Sequence, residues 1–358
     1  MSQGSQIDSS HELPAGVARQ QRRQLLVSLG VGGAGALLST TALASKERPA
    51  ARQGSPFGVV PDQFSGSDTE RVQAAYDYVL ENGLTTVYLD RVYDLTGGSV
   101  YLSSDDWAPV VIFVGGGLTK RDDGFMFDRR TANLATDAPK FQGVRFRGSE
   151  DATAVISNGS RMIRQNFSQQ CDFRHVAAIH SDSYTQSVRF LNTEMYESAG
   201  TFILAPRHYD LSCHENRFEA NSHRLIEAVT DEPGQWALSV ARFTNNCIEG
   251  YTRVAPIRLS SASSLLFQGN YCEHNNTTLE FIRTDGIQQV SGKIEVNSFY
   301  ESRSEVDIDL GQLNCSNLEI SHNTSNAAKG RHLTRQRGGG AAQVSSNFMY
   351  SGGNEGPF

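Results

Sequence analysis

Apolar and polar residues alternate in short stretches along the second half of the chain, and asparagines recur beside them. The alternating stretches include Val188–Phe190, Val240–Phe243, Leu265–Phe267, Ile294–Val296 and Leu318–Ile320. A period of two places the apolar side chains on one face of a β-strand. The asparagines are Asn192, Asn216, Asn246, Asn270, Asn297, Asn323 and Asn347, whose numbers differ by 24, 30, 24, 27, 26 and 24. A repeat of this length, built from short strands, predicts an all-β solenoid whose coils form a parallel β-helix.

The residues around each asparagine predict which side chains face inward. Asparagine tolerates the left-handed backbone conformation and bonds neighbouring backbone, so we place it at the corner of each coil. Alternation then directs the residues two positions later into the core, namely Phe218, Ile248, Cys272 and Phe299. The residues three positions later point outward, namely Glu219, Glu249 and Glu273.

The segment that precedes the repeats predicts a short helix that closes one end of the solenoid. Ser67 and Glu70 form a capping box, and the apolar positions that follow have helical spacing up to Asn82 and Gly83. A strand follows at Thr85–Leu89. Because the end of a β-helix exposes unpaired strand edges, we expect this helix to cover them.

The first 44 residues are typical of an export signal. Arg22 and Arg23 precede an apolar run from Leu25 to Leu38, and a small-residue cleavage pattern ends at Ala44. The paired arginines and the glycine-diluted run indicate a leader of the twin-arginine type, so we predict a periplasmic or secreted protein. The run is short for a membrane span, and we expect no span in the mature chain. The predicted organisation is a signal peptide over 1–44, a linker over 45–55, one β-helix over 56–350 and a tail over 351–358.

Composition narrows the possible partners. The formal net charge of −7 disfavours nucleic acid as the main partner, because phosphate binding favours a basic surface. The five cysteines all fall within the repeats, and their spacing contains no Cys-x-x-Cys pattern for structural zinc. We interpret them as small buried residues of the coils. The sequence gives no indication of an oligomeric state.

Several N-terminal sequence segments resemble the N-terminal signature of the pectate lyase superfamily. Phage tailspikes share this signature. The segments are Phe57–Asp62, Asp68–Thr69, Val72–Ala75 and Thr86–Leu89 with Tyr93. The resemblance extends over residues 56–350 and implies a right-handed parallel β-helix. It also implies a polysaccharide partner, since many members cleave or epimerise acidic or neutral polysaccharides. It transfers no catalytic residue, because members place their chemistry at different positions.

The outward glutamates are the first candidate for catalysis. If each repeat is one coil, Glu219, Glu249 and Glu273 stack on three successive coils, about 5 Å apart for neighbours and about 10 Å for the outer pair. Retaining glycosidases use carboxyl groups about 5–5.5 Å apart and inverting ones about 6.5–9.5 Å. The alternative is a solvated face on which arginines such as Arg217 pair with the glutamates.

A histidine-rich stretch is the second candidate. It contains His175, His180, Asp182, Arg207, His208, Asp210, His214 and His223. A polysaccharide lyase needs a base and a cation beside the substrate carboxylate, and Arg207 with His208 would supply both, with Asp182 as a further catalytic candidate. An acidic glycan on the glutamate face would need calcium to bridge the charges, so calcium is the one cofactor that we consider.

Three classes of function therefore remain open from the sequence. The first is an exported enzyme that cleaves a polysaccharide, either a glycoside hydrolase or a polysaccharide lyase. The second is a sugar epimerase on the same scaffold. The third is a noncatalytic β-helix that binds glycan or has a structural role at the cell surface.

Overall fold

The computed structural model describes residues 58–102, 110–128, 136–149, 154–157, 163–164, 166–220, 222–326, 332–351 and 354–357. These residues form a right-handed parallel β-helix of about ten coils, as the repeat and the family resemblance predict. The predicted leader, its cleavage site and the linker lie outside the described residues.

Each coil contributes strands to three parallel sheets, which form the walls of the solenoid. In the described ranges, sheet 1 contains Gly58–Val59, Thr86–Tyr88, Ile112–Val114, Thr136–Asp137, Lys140–Gln142, Ile163–Arg164, Phe167–Gln169, Tyr184–Gln186, Val188–Leu191, Arg207–His214, Leu238–Thr244, Ala262–Gln268, Gln289–Glu295, Asn314–Ser321 and Gln343–Ser345. Sheet 2 contains Val92–Asp94, Gly117–Thr119, Arg145–Arg147, Asp172–Arg174, Glu194–Tyr196, Arg217–Glu219, Cys247–Glu249, Tyr271–Glu273, Ser298–Tyr300, Thr324–Asn326, Phe348–Ser351 and Asn354–Pro357. Sheet 3 contains Val100–Tyr101, Phe125–Asp128, Ala154–Ser157, Ala177–His180, Ile203–Leu204, Ile226–Ala228, Ile257–Leu259, Leu279–Phe281, Val306–Gly311 and His332–Gln336.

Sheet 2 has a regular register over the middle coils. Phe218 lies opposite Ile248, which lies opposite Cys272, which lies opposite Phe299. All four side chains are buried, which confirms the predicted inward face. At the C-terminal end, Asn354–Pro357 pairs antiparallel with Phe348–Ser351, so the chain turns back on the last described coil.

A ladder of buried asparagine side chains joins the coils at the corner between sheets 1 and 2. The Nδ2 atom of each donates to Oδ1 of the next at 2.9–3.0 Å, through Asn216, Asn246, Asn270, Asn297, Asn323 and Asn347. The same Oδ1 atoms accept from the backbone N–H of the preceding asparagine. Because buried amide groups require partners, this ladder explains the recurring asparagine.

The structure corrects how the corner is built. The residue with a positive φ is the one before the ladder asparagine, for example Glu215 at 54°, Asn245 at 56° and Val296 at 60°. Asn192 has this conformation too, at 48°, so the following Thr193 takes the ladder position and its backbone N–H donates to Asn216. The asparagines therefore recur for their buried hydrogen bonds and not for left-handed backbone.

The α-helix Asp68–Glu81 packs on the first strands of all three sheets and covers the N-terminal end of the core, as predicted. A 3₁₀-helix, Pro61–Gln63, precedes it. The helix buries Val72, Ala75 and Val79. Among the described residues no helix is long and apolar enough to cross a membrane.

The capping box allows a test of the cap. The Ser67 side chain accepts from the Glu70 backbone N–H, and the Glu70 carboxylate accepts from the Ser67 N–H at 2.8 Å. We expect Ser67→Ala to lower the free energy of unfolding by about 1 kcal/mol, because a helix-end N–H loses its acceptor. Urea unfolding measures the loss, and Ser67→Thr, which keeps the hydroxyl, should retain most of the stability. Equal losses in both variants would contradict this role for the cap.

Candidate functional site

The three glutamates singled out from the sequence stack in register on the outer face of sheet 2. Glu219 lies opposite Glu249, and Glu249 lies opposite Glu273. Their strands are three residues long, and the central residue of each points into the core, so the glutamates are directed outward and are partly exposed. We refer to Glu219, Glu249 and Glu273 as the carboxylate row.

An exposed tyrosine continues the same column of residues at each end of the carboxylate row. Tyr196 lies opposite Glu219 and is 43% exposed, and Tyr300 lies opposite Glu273 and is 40% exposed. Five coils thus present tyrosine, three glutamates and tyrosine in order, over about 19 Å. Arg174, one coil further, lies with its guanidinium 5.9 Å from the centre of the Tyr196 ring.

Arg217 offsets part of the negative charge of the carboxylate row. Its Nη2 atom lies 3.4 Å from Oε2 of Glu219 and 3.7 Å from Oε2 of Glu249. The arginine side chain is well exposed, so water screens both pairs and their contribution to stability is small. The guanidinium nevertheless places a positive charge between two of the three carboxylates.

Glu273 also has two neighbours that carry a proton, Tyr271 and His274. The Tyr271 hydroxyl bonds its carboxylate, and His274 Nδ1 lies 3.7 Å from its Oε1 atom. The His274 Nε2 atom contacts the carboxylate of Glu301. Partial desolvation, followed by the hydrogen bond to Glu273, raises the pKa of Tyr271 to about 12. Tyr271 therefore remains protonated and donates at neutral pH.

Cys247 lies on the same outer face, with its Sγ atom 3.9 Å from Oε2 of Glu249. Burial, followed by the negative charge of Glu249, raises the pKa of this thiol. Because the thiolate is the nucleophilic form, Cys247 is poorly placed for covalent catalysis. All five cysteines are free, and four of them are buried, in agreement with the structural role predicted for them.

Glu249, Glu273 and His274 are the described residues that come closest to a metal-ligand set. One ligand atom from each lies within 4.8 Å of the others. Calcium takes six to eight oxygen ligands. Two carboxylates and an imidazole nitrogen fit that preference poorly, so the calcium considered from the sequence gains no support from this donor set.

A pocket of about 270 Å³ lies beside the Tyr196 end of the carboxylate row, where the chain passes from sheet 2 towards sheet 3. Its lining includes His175, Glu197, Ser198, Ala199, Ala220 and His223. His175 Nδ1 lies 3.6 Å from Oε2 of Glu197. Sequence analysis placed His175 and His223 in the histidine-rich stretch but did not predict a pocket.

Arg207, His208 and Asp182 do not converge on one site. Arg207 is mostly buried on sheet 1, with its Nη1 atom 3.1 Å from Oε2 of Glu232. His208 is the next residue of the same strand, so it points to the opposite face, where it is 1% exposed and contacts the Thr185 hydroxyl through Nδ1. Asp182 is exposed beside His180, 3.5 Å from its Nε2 atom.

The burial of His208 predicts a pH dependence of stability. Burial lowers its pKa to about 3, against about 6.5 in an unfolded chain. Between these values the unfolded chain binds a proton that the folded chain excludes. The contribution of neutral, buried His208 to the free energy of unfolding is therefore complete above about pH 6.5. It falls as the pH decreases towards 3, by up to about 1.4 kcal/mol per pH unit.

Urea unfolding between pH 7 and pH 4.5 measures this dependence. We expect His208→Asn, which keeps a polar group near Thr185 but does not titrate, to lose stability less steeply than the parent chain. The same slope in both proteins would show that His208 is not responsible.

No protein-family model and no curated protein matches the chain. Among solved structures, the tailspike protein of Acinetobacter baumannii phage AM24 aligns with a TM-score of 0.59 and 18% identity, over 84% of this chain and 55% of the tailspike chain. The A-module of the mannuronan C-5 epimerase AlgE4 from Azotobacter vinelandii aligns with a TM-score of 0.47 and 11% identity, over 82% of this chain and 96% of that module. The chain thus spans about half of the tailspike, and at this identity the likeness shows the β-helix fold alone.

Proposed function

We propose that this protein binds a polysaccharide along the outer face of sheet 2 and hydrolyses it with two members of the carboxylate row, Glu249 and Glu273. The observation that carries the proposal is the stacked column of Tyr196, Glu219, Glu249, Glu273 and Tyr300. Its three carboxylates stand between two exposed aromatic rings, as expected for a linear substrate. The N-terminal resemblance to the pectate lyase superfamily supports a polysaccharide.

Glu249 and Glu273 are the pair best placed for the reaction. Oxygen atoms of their carboxylates lie within 4.8 Å of each other. Carboxyl groups about 5–5.5 Å apart belong to the retaining mechanism, in which one residue is the nucleophile and the other is the acid and base. We therefore assign a retaining reaction to this pair. The outer pair, Glu219 and Glu273, is two coils apart, about 10 Å.

The neighbours of the two glutamates suggest their roles. Arg217 places a positive charge 3.7 Å from Oε2 of Glu249, so Glu249 is assigned as the nucleophile that forms the bond to the anomeric carbon. Glu273, the other member of the pair, is assigned as the group that protonates the leaving oxygen and then activates water, and the proton-bearing side chains of Tyr271 and His274 lie beside it.

Charge favours a neutral or amino-sugar substrate. Besides the carboxylate row, Glu194, Glu197 and Glu301 lie on or next to this face of sheet 2. Arg217 offsets only part of this charge, so a uronate polymer brought to the same surface would be repelled, since like charges within a few ångströms interact unfavourably. Tyr196 and Tyr300 supply apolar ring faces with a polar hydroxyl, which suits the mixed surface of a sugar. The leader predicted around Arg22 and Arg23 supports action outside the cytoplasm.

A second candidate is glycan binding without cleavage. The pairing of Arg217 with Glu219 and Glu249 is the observation that favours it, because it is also expected of a solvated face. The tyrosines would then provide the affinity for the glycan.

A polysaccharide panel tests the proposal. We expect new reducing ends from a neutral or amino-sugar glycan, with no ultraviolet absorbance from unsaturated uronate. Both signals together would indicate a lyase and contradict hydrolysis. Binding without either signal would favour the noncatalytic candidate.

A further inference from the structure

We infer that the pocket lined by His175, Glu197, Ser198, Ala199 and His223 binds one uncharged or amino-substituted sugar unit of the glycan. The inference rests on the proposed function and adds to it a specific recognition site for a branch or terminal sugar. The carboxylate row is an open surface, whereas this pocket is a concavity that can hold a whole ring.

The size of the pocket suits a single ring. Its volume is about 270 Å³, just under the lower end of pockets that hold drug-sized ligands, about 300 Å³. Ala199, Ala220 and Ser222 line it and leave the space open, because none has a long side chain. A longer segment of polymer would have to extend out of the pocket and onto sheet 2.

The polar groups of the pocket suit hydroxyl groups. Ser198 is 7% exposed, and its buried hydroxyl has no hydrogen-bond partner among the described residues. A buried hydroxyl without a partner is unfavourable, so a ligand group that pairs with it after a rotation of the Ser198 side chain would be stabilised. Glu197 offers carboxylate oxygens, and His175 and His223 offer imidazole nitrogens, which accept or donate according to tautomer.

The pocket borders the same sheet as the proposed cleavage site. Glu197 directly follows Tyr196, and Ala220 directly follows Glu219, so two of its walls begin where strands of sheet 2 end. Glu249 and Glu273 lie one and two coils further along, about 5 and 10 Å from the Glu219 coil. A sugar held in the pocket would therefore fix the position of the glycan relative to the catalytic pair.

The charge of the lining defines the class of sugar. Glu197 is the acidic residue of the lining, Glu219 directly precedes the lining residue Ala220, and among the described residues no arginine or lysine lines the pocket. At neutral pH a uronate would meet Glu197, which no arginine or lysine of the described lining compensates, and Glu219, whose charge Arg217 offsets only in part. A neutral hexose or an amino sugar avoids that repulsion.

Titration with monosaccharides tests the pocket directly. The probes are glucose, galactose, mannose, N-acetylglucosamine and glucosamine, with glucuronate as the charged counterpart of glucose. NMR follows the imidazole C–H signals of His175 and His223. We expect at least one neutral or amino sugar to shift both signals saturably, and glucuronate to bind at least about tenfold more weakly.

Three variants locate the binding. We expect Ala199→Phe, which fills the pocket, to weaken binding by at least about tenfold, and Ser198→Ala to weaken it by a smaller factor without disturbing the fold. The control is Ser264→Phe, which adds the same ring at an exposed position of sheet 1 and should bind like the parent chain.

The outcomes separate this inference from the proposed function. If no sugar shifts the two histidine signals, or if Ala199→Phe binds and degrades glycan like the parent chain, the pocket is not a sugar site, while hydrolysis by the carboxylate row still stands. If a sugar binds and Ala199→Phe abolishes binding, the pocket is supported even if no glycan in the panel is hydrolysed.

Discussion

Glu249→Gln and Glu273→Gln are each expected to lower the turnover of the hydrolysed glycan by at least about a hundredfold, with the fold intact. Glutamine keeps the shape and most hydrogen bonds of glutamate, but it provides neither a carboxylate nucleophile nor a titrating proton. Reducing-end kinetics measures turnover, and thermal unfolding checks that the coils remain folded.

Glu219→Gln is the matched control, because it makes the same change one coil away, at the glutamate nearest to Arg217. We expect its turnover to stay within a few fold of the parent chain. If all three variants keep full turnover and become slightly more stable, the carboxylate row is a solvated face whose mutual repulsion has been relieved. That result would contradict hydrolysis by this face.

The repeat of the fold was predictable because one buried hydrogen-bonding position recurs in successive coils from Asn216 to Asn347. The ladder tolerates little besides asparagine, since each side chain must donate to the next coil and to a carbonyl such as that of Phe243 at the same time. The left-handed backbone conformation of the residue that precedes each ladder asparagine was not predictable. That position is occupied by glutamate, asparagine, glycine, valine, histidine and serine in turn, because the geometry of stacked corners imposes the backbone conformation on any residue.

The site was predictable only where alternation determines it. Alternation places Glu249 outward because its neighbour Ile248 is an apolar residue of the core. Stacking of the coils then brings the equivalent glutamates together. The same rule, applied to Arg207 and His208, puts them on opposite faces of one strand, so the pair cannot act together on one substrate. The pocket is formed by the connections between sheets 2 and 3 in neighbouring coils. The sequences of these connections show no periodic pattern from which their path could be predicted.

Phe218→Ala is expected to lower the free energy of unfolding by about 2–5 kcal/mol, the largest loss of stability that we predict. Phe218 is fully buried, lies between Met195 and Ile248 in the register of sheet 2, and packs 5.8 Å from Phe202 between ring centroids. Removing the ring loses its transfer free energy and leaves a cavity. Stability in a solenoid depends on contacts between neighbouring coils, so one such cavity weakens two interfaces.

Urea unfolding followed by circular dichroism measures the loss, and Tyr196→Ala, an exposed aromatic on the preceding coil, is the control. We expect the control to change stability by no more than about 0.5 kcal/mol, because Tyr196 is 43% exposed and lies on the outer face, away from the core. Ile248→Ala and Phe299→Ala should fall in the same range as Phe218→Ala, since all three side chains share one buried column. Losses below about 0.5 kcal/mol at all three positions would mean that this column faces solvent, which would also turn the carboxylate row inward and exclude it from catalysis.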